Sequence, residues 1–264
     1  MKVVIVGSGA REHALALAVS ASPLLSSLAC VPGNGGTLAW NVEAPSPFEP
    51  KVFAEWAAAR GTDLVVVGPE APLAGGLADA LLAAGVPTFG PMEAGAMLES
   101  SKAFAKGFMD RHGIPTARWR RVANDDEARA AIADLCGPSG VVIKADGLAG
   151  GKGVVVADDP FSAATAAANL LRGDAVGDAG RTVVIEERLF GPELSFHALI
   201  DESGWRALPT ARDHKTLLEG GRGPNTGGMG VVAPVELPEQ TRLTIESRIL
   251  DALLRGMRAE NIPY

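Results

Sequence analysis

Residues 141–157, VVIKADGLAGGKGVVVA, place Lys144 and Lys152 with Gly147, Gly150, Gly151 and Gly153 in one short run between two β-branched stretches. Glycine lets backbone N–H groups converge on an anion with no Cβ in the way, and the lysines bring full positive charge to the same place. The chemistry this suits is polyphosphate binding. A Walker A loop is excluded: counting back from Gly151-Lys152 puts Asp146 where that motif needs its first glycine, Gly153 replaces its hydroxyl residue, and a strand follows instead of a helix. The pattern fits a strand, glycine loop and strand closing over a nucleotide. Read alone it fits a long glycine-rich hairpin turn as well.

Other groups suited to ligands lie at the ends of apolar runs. Val3 to Val6 lead into Gly7-Ser8-Gly9-Ala10-Arg11-Glu12-His13, a strand turning into a helix whose N-terminus at Gly9 can seat a phosphate. The dinucleotide fingerprint would need a third glycine where Glu12 stands, and an acidic residue after the second strand. The second strand, 28–31, runs instead into Pro32-Gly33-Asn34-Gly35-Gly36-Thr37, so dinucleotide binding loses ground. The strand 63–67 ends in Gly68-Pro69-Glu70, at the carboxyl edge where open α/β sheets bind ligands. Farther on, Glu186 and Glu187 close an apolar strand at 182–187, and Glu193 follows Gly191-Pro192. Acidic groups there are costly unless they meet water or a donor, and the adenine amino group and ribose hydroxyls of a nucleotide supply such donors. Asp213-His214-Lys215 precedes a glycine-rich stretch, 220–230, read as a long loop. His214 reads as a packing residue.

The elements that must hold these groups follow from periodicity. Strands and helices alternate through the first 90 or so residues, with helices at 54–60 and 77–84 and a strand at 87–89, which predicts a doubly wound parallel sheet whose carboxyl-end loops gather Gly9, Asn34 and Glu70. A helix opens near Glu99 and runs to about 111, with Lys102 in its first turn, where the helix dipole disfavours a cation. Further helices are expected at 125–135 and 161–172, a strand at 194–200, and a final helix from Pro238 with Leu243, Ile249, Leu250, Leu253, Leu254 and Met257 on its apolar face.

Composition bounds the rest. The 264 residues, 47% hydrophobic, suffice for two domains. A net charge of −7 argues against a nucleic-acid or anionic-membrane surface. Cys30 and Cys136 fit neither a disulfide framework nor a metal spacing. No run reads as a signal-peptide core or a membrane span, so a cytoplasmic protein is expected.

Taken in order, the blocks VGSGAREHALA at 6–16, PGNGGT at 32–37, DLVVVGPEAPLAGGLADAL at 63–81, SKAFAKGFMDRHGIPTA at 101–117, VIKADGLAGGKGVVVA at 142–157, VIEERLFGPELSF at 184–196 and GPNTGGMG at 223–230 resemble the phosphoribosylamine-glycine ligase (glycinamide ribonucleotide synthetase) family of the ATP-grasp superfamily. The resemblance covers nearly the whole chain. It implies a mixed α/β and α+β architecture: a Rossmann-like domain over 1–98, then a truncated ATP-grasp fold over 99–264, with a mobile glycine-rich lid at 118–189 and an incomplete core at 190–264. It also implies that ATP phosphorylates the carboxylate of glycine and that 5-phosphoribosylamine takes up the glycyl group, in purine biosynthesis.

By position, the resemblance gives ATP contacts to Lys102, Lys144, Gly147, Gly150, Gly151, Lys152, Gly153, Glu186, Glu187, Leu189 and the ribose-binding acid Glu193. It gives Gly9, Arg11, Gly33, Asn34, Gly35, Gly68, Pro69 and Glu70 to the phosphoribosylamine side. Pro224, Asn225, Thr226, Gly227 and Gly228 join Asp213 and Lys215 around glycine and the transferring phosphate, with Lys144, Asp213 and Lys215 as the catalytic set. Family members continue into a strand of the form Glu-Phe-Asn-x-Arg-Phe-Gly-Asp-Pro-Glu whose Glu and Asn bind magnesium. The present sequence lacks it, so magnesium or manganese is implied without protein ligands in this chain, and Thr216 stands where a basic residue commonly follows Asp-His-Lys. The partners implied are glycine, 5-phosphoribosylamine and ATP, with the oligomeric state open. Two alternatives stand beside this reading: a nucleotide-binding piece without turnover, and an ATP-grasp ligase for another carboxylate.

Overall fold

The computed structural model describes residues 1–149, 153–173 and 177–263, with backbone alone at 178, 224 and 225. Lys152, Gly150 and Gly151 therefore lie outside the described residues. The chain divides into two compact units, one of residues 1–100 joined by 262–263, the other of residues 101–261. No helix among the described residues is long and apolar enough to cross a membrane.

In the first unit, β1 (Lys2–Gly7), β2 (Ser27–Pro32), β3 (Leu64–Val67) and β4 (Thr88–Phe89) form one parallel sheet in the order β2-β1-β3-β4. The helices are α1 (Ala10–Ser20), α2 (Pro50–Ala59), α3 (Glu70–Ala74), α4 (Leu77–Ala83) and α5 (Glu93–Ser100). The period of two along β1 explains why both faces are covered. Val4 and Val6 pack with Phe53, Leu77 and Leu81 on one side, while Val3 and Ile5 pack with Ala16, Cys30 and Val66 on the other. Each such buried valine, leucine, isoleucine or phenylalanine side chain contributes about 1.5–3 kcal/mol. The doubly wound reading is thus the observed one, with α3 and α5 added to it.

The second unit starts with α6 (Lys102–His112), whose Phe104 N–H is capped by the Ser101 hydroxyl and which stops at Gly113 in a left-handed conformation, φ +65. There follow β5 (Trp119–Val122), α7 (Asp125–Leu135), β6 (Val141–Ala145), β7 (Val154–Ala157), α8 (Pro160–Leu171) and β8 (Val183–Glu187). The strands make an antiparallel sheet in the order β5-β8-β6-β7. Ile132, Leu135, Val141, Ile143, Leu170 and Ile185 belong to its core. Asn124 caps α7 and Asp159 caps α8. The backbone N–H of Ser162, then its hydroxyl, hold the Asp159 carboxyl below its usual range.

Three expectations need correction beyond this sheet. The strand expected over 194–200 is reduced to β9 (Ala198–Asp201), paired with β10 (Gly204–Ala207), because Ser195 instead makes a single bridge to Ala211. The glycine-rich stretch 220–230 is not a loop. It forms most of β12 (Arg222–Val232), antiparallel to β11 (Arg212–Leu218), since the ladder satisfies a backbone that its own glycines do not favour as strand. The final helix is not continuous: α9 (Glu239–Ile245) passes through a π-helical turn at Glu246–Leu250 into α10 (Asp251–Ala259). The wider turn shifts the face, so Leu250, Leu254 and Met257 are buried while Leu243 and Ile249 stay exposed.

Candidate functional site

Along β6 the alternation sends Val141, Ile143 and Ala145 into the core and leaves Lys144 on the other face. Its ion-pair partner is Glu186 of β8, which stands opposite Val142 in the ladder and is 5% exposed. One carboxylate oxygen of Glu186 lies 3.0 Å from the Lys144 ammonium, and the other accepts a hydrogen bond of 2.9 Å from Lys106 of α6. Lys106, itself buried, also donates to the Thr116 hydroxyl at 2.7 Å. Two ammonium groups share one carboxylate, so the triad carries one unit of net positive charge. A charge taken out of water at this cost is retained only with partners, and an anion beside Lys144 would complete the set.

The entry to the glycine-rich loop is tied to the start of α6. The Asp146 carboxylate accepts from the Ala103 N–H at 2.6 Å and from the Ser101 hydroxyl at 3.1 Å, placing an anion at the positive helix end. The Lys102 ammonium donates to the carbonyls of Asp146 and Gly147 at 3.3 and 3.2 Å. The dipole conflict seen in the sequence is thus answered by Asp146. On the far side of the loop the Ala145 N–H donates to the Gly153 carbonyl at 2.7 Å. A Cβ at Gly153 would stand 2.8 Å from the Ala149 methyl, so this close return of the loop needs glycine.

Other members of the expected ATP set are placed differently. Glu187 binds the Arg118 N–H at 2.8 Å and its guanidinium at 3.1 Å. These bonds, the backbone one first, hold its carboxyl below the usual range. The donors that the sequence reading sought from a nucleotide for Glu186 and Glu187 come from the protein itself, through Lys106, Lys144 and Arg118. Leu189 is exposed, as is Phe190, over whose ring Arg188 lies.

On β11, Asp213 and Lys215 share a face, with the Lys215 ammonium 3.6 Å from Asp213 and 3.8 Å from Glu193. Asp213 Oδ1 is buried without a hydrogen-bond partner, and Gly228 on β12 approaches so closely that a Cβ there would lie 3.2 Å from it. Thr226 donates its hydroxyl to the Lys215 carbonyl at 2.9 Å, and the Gly228 N–H donates to that hydroxyl at 3.1 Å. Gly227 stands in open space. The side chains of Pro224 and Asn225 lie outside the described ones. His214 is exposed instead of packed.

In the first unit the expected gathering is found. The Asn34 amide donates to the carbonyls of Ser8 and Gly9 at 3.1 and 2.9 Å, joining the loop after β2 to the β1–α1 turn. Gly33 holds φ +76, and a Cβ there would collide with Asn41 Oδ1 at 1.9 Å. Gly35 faces open space. Pro69 directly precedes α3, which Glu70 begins, and makes no side-chain capping bond. Arg11 reaches to 3.5 Å from Glu70, and both line a cavity of about 490 Å³ with Gly68, Leu73, Pro91 and Glu99. The N–H of Gly9 is not open: it donates to Glu12 at 2.6 Å.

Among the described residues no group of three or more His, Cys, Asp or Glu could hold a metal ion. Glu193 and Asp213 each neighbour Lys215 instead, so these residues do not by themselves fit a magnesium site. Lys106, Thr116, Asp146 and Arg118 are the residues of this region that the sequence reading missed. Lys106 and Thr116 stand within a block already singled out, SKAFAKGFMDRHGIPTA, and a lysine on the core side of an amphipathic helix is the signal that marks Lys106.

A family model described as Phosphoribosylglycinamide synthetase, N domain, matches residues 1–99, and one described as Phosphoribosylglycinamide synthetase, ATP-grasp (A) domain, matches residues 100–264. The phosphoribosylamine–glycine ligase of Ralstonia nicotianae is 47% identical over 269 residues, covering 100% of this chain and 63% of that protein. The trifunctional purine biosynthetic protein adenosine-3 of Homo sapiens is 43% identical over 267 residues, covering 100% of this chain and 26% of that protein. The crystal structure of phosphoribosylamine–glycine ligase from Thermotoga maritima matches with a TM-score of 0.81 at 34% identity, covering 100% of this chain and 63% of that one. The chain therefore spans less than two thirds of the length of these relatives.

Proposed function

Because the chain belongs to the phosphoribosylglycinamide synthetase family, we propose that it takes part in the ATP-dependent joining of glycine to 5-phosphoribosylamine. In this reaction a carboxylate oxygen of glycine attacks the γ-phosphorus of ATP and ADP leaves. The amine of 5-phosphoribosylamine then attacks the glycyl carbon, phosphate departs with the former carboxylate oxygen, and the amine loses a proton. Both nucleophiles belong to substrates, so the protein has to position anions and offset their charge.

The observation that carries this reading is the Lys106–Glu186–Lys144 triad at the base of the glycine-rich loop. Lys144 is the member left to meet the ATP phosphates, with Glu186 and Lys106 fixing where its ammonium points. Lys102 meets the same phosphates, the flap of residues 147–153 belongs to a lid of residues 118–189, and Glu187, Leu189 and Glu193 border the nucleoside. Asp213 Oδ1, buried and lacking a donor, is the acceptor for the ammonium of glycine, and Lys215 beside it meets the carboxylate being phosphorylated. Thr226, Gly227 and Gly228, with Pro224 and Asn225, border the same space. The loops at Gly33 to Gly35 and Gly68 to Glu70, with Arg11, hold the phosphoribosylamine. No step is assigned to a metal ion, since the described residues do not form a site for one.

One observation favours a second reading, nucleotide binding without turnover: no metal-holding cluster exists among the described residues. The two separate in a phosphate-release assay on this chain with magnesium-ATP and glycine, run with and without 5-phosphoribosylamine. Release that requires both substrates supports the ligase. Binding of ATP with no release under any combination would overturn it in favour of the second reading.

A further inference from the structure

The β1–α1 turn has the sequence Gly7-Ser8-Gly9-Ala10-Arg11-Glu12, which departs from the dinucleotide fingerprint at its last position alone. In that fingerprint the glycines let a pyrophosphate approach the backbone and rest on the helix N-terminus. Here the space is full. Glu12 is 4% exposed, and its Oε2 accepts the Gly9 N–H at 2.6 Å. A Cβ built on Gly7 would lie 2.6 Å from the Glu12 side chain, one on Gly9 2.9 Å, and one on Gly68 2.0 Å. The carboxylate therefore sits in the crevice between the carboxyl ends of β1 and β3 and the start of α1, against three glycine backbones. Its other oxygen, Oε1, is buried with no hydrogen-bond partner, although the exposed Arg11 brings Nε to 3.3 Å of it. We attribute the difference to geometry: the ion pair is close enough for Coulomb attraction but lacks hydrogen-bond alignment.

We propose that Glu12 is a specificity-determining residue, an anion built into the chain that occupies the pyrophosphate position and closes this Rossmann-like crevice to dinucleotides. Two effects act together. The side chain fills the volume that a pyrophosphate needs, and its charge repels any second anion brought to the same helix end. A ligand phosphate on this unit must then draw on donors outside the crevice, of which the exposed Arg11 guanidinium is one. The crevice refuses dinucleotides whether or not the chain completes the ligase reaction.

The test uses the whole chain labelled with ¹⁵N-glycine, with ADP present at saturation to occupy a nucleotide site elsewhere, and NAD⁺ as the probe. In the wild-type protein the Gly9 amide signal is expected to stay in place up to millimolar NAD⁺. In Glu12→Gly, which completes the fingerprint and empties the crevice, the same signal should move with an affinity at least tenfold higher. Movement of the wild-type Gly9 signal at the concentrations that move it in the variant would overturn the proposal, as would a folded Glu12→Gly that does not respond. Should Glu12→Gly fail to fold, Glu12→Gln decides, because glutamine keeps the volume and can still accept the Gly9 N–H. Its Gly9 signal must ignore NAD⁺, and displacement would show that the filled crevice is not what excludes the dinucleotide.

Discussion

Two glycine-rich turns of this chain look alike in sequence and differ in what charge lies beneath them. Under the β1–α1 turn of the first unit sits a buried carboxylate, Glu12, bonded to the very amide that a phosphate would use. At the base of the loop between β6 and β7 sit two lysines sharing one glutamate, with net positive charge. Glycine shows where a backbone can approach a ligand. The titratable groups behind it decide whether an anion is admitted, and these come from elsewhere in the chain.

The largest expected effect falls on the second region. Glu186→Ala leaves Lys106 and Lys144 facing each other without their shared carboxylate, which costs about 3–5 kcal/mol when a buried pair is broken from one side. Thermal unfolding should show a midpoint lower by roughly 6–20 °C, whereas a shift of under a degree would mean the triad does not hold this sheet together. Next comes the filled crevice. Gly68→Ala drives a Cβ to 2.0 Å from Glu12 and should cost about 1–3 kcal/mol by overpacking, while Gly35→Ala, in open space, should stay within about 0.5 kcal/mol. Equal urea midpoints for the two variants would erase the contrast between a self-filled and an open turn.

A smaller effect falls on a carboxylate paired with a guanidinium and an imidazole. Glu260 of the second unit is held by the Arg111 guanidinium first and by His112 as well, which brings its carboxyl down to about 2 from an ordinary 4.5. The folded chain then binds fewer protons than the unfolded one between these values, so this contribution is present above pH 4.5 and is lost as the pH falls toward 2. Glu260→Gln should accordingly narrow the difference between urea midpoints at pH 6 and pH 3. An unchanged difference would remove Glu260 from the account.

The sequence made the first unit legible because its signals are local. The run Val3 to Val6 predicts a strand covered on both faces, and in the second unit a local signal served as well: α7 lies at 125–135 as expected, with Asn124 at its cap and acidic residues in its first turn. The short α3 gave no periodic signal in five residues. Strand β12 hid behind its glycines, since only its ladder to β11 reveals it. Glu186 and Lys144 were both singled out, yet their relation through Lys106 was not, because Lys106 and Glu186 are separated by 80 positions along the chain. Nor did the fingerprint mismatch at Glu12 show that the residue turns inward; that depends on the closeness of Gly68, just past the end of a different strand, β3.

The most direct test of the central claim, that the fixed lysine on β6 is the anchor for the nucleotide phosphates, is a calorimetric titration of ATP into the wild type, Lys144→Ala and Lys152→Ala. Lys144 is aimed by Glu186 before any ligand arrives, so little ordering of its ammonium remains to be done on binding. The expected result is a loss of about tenfold or more, 1.4 kcal/mol, for Lys144→Ala, and a smaller loss for Lys152→Ala. Equal losses, or an unchanged affinity in Lys144→Ala, would contradict it.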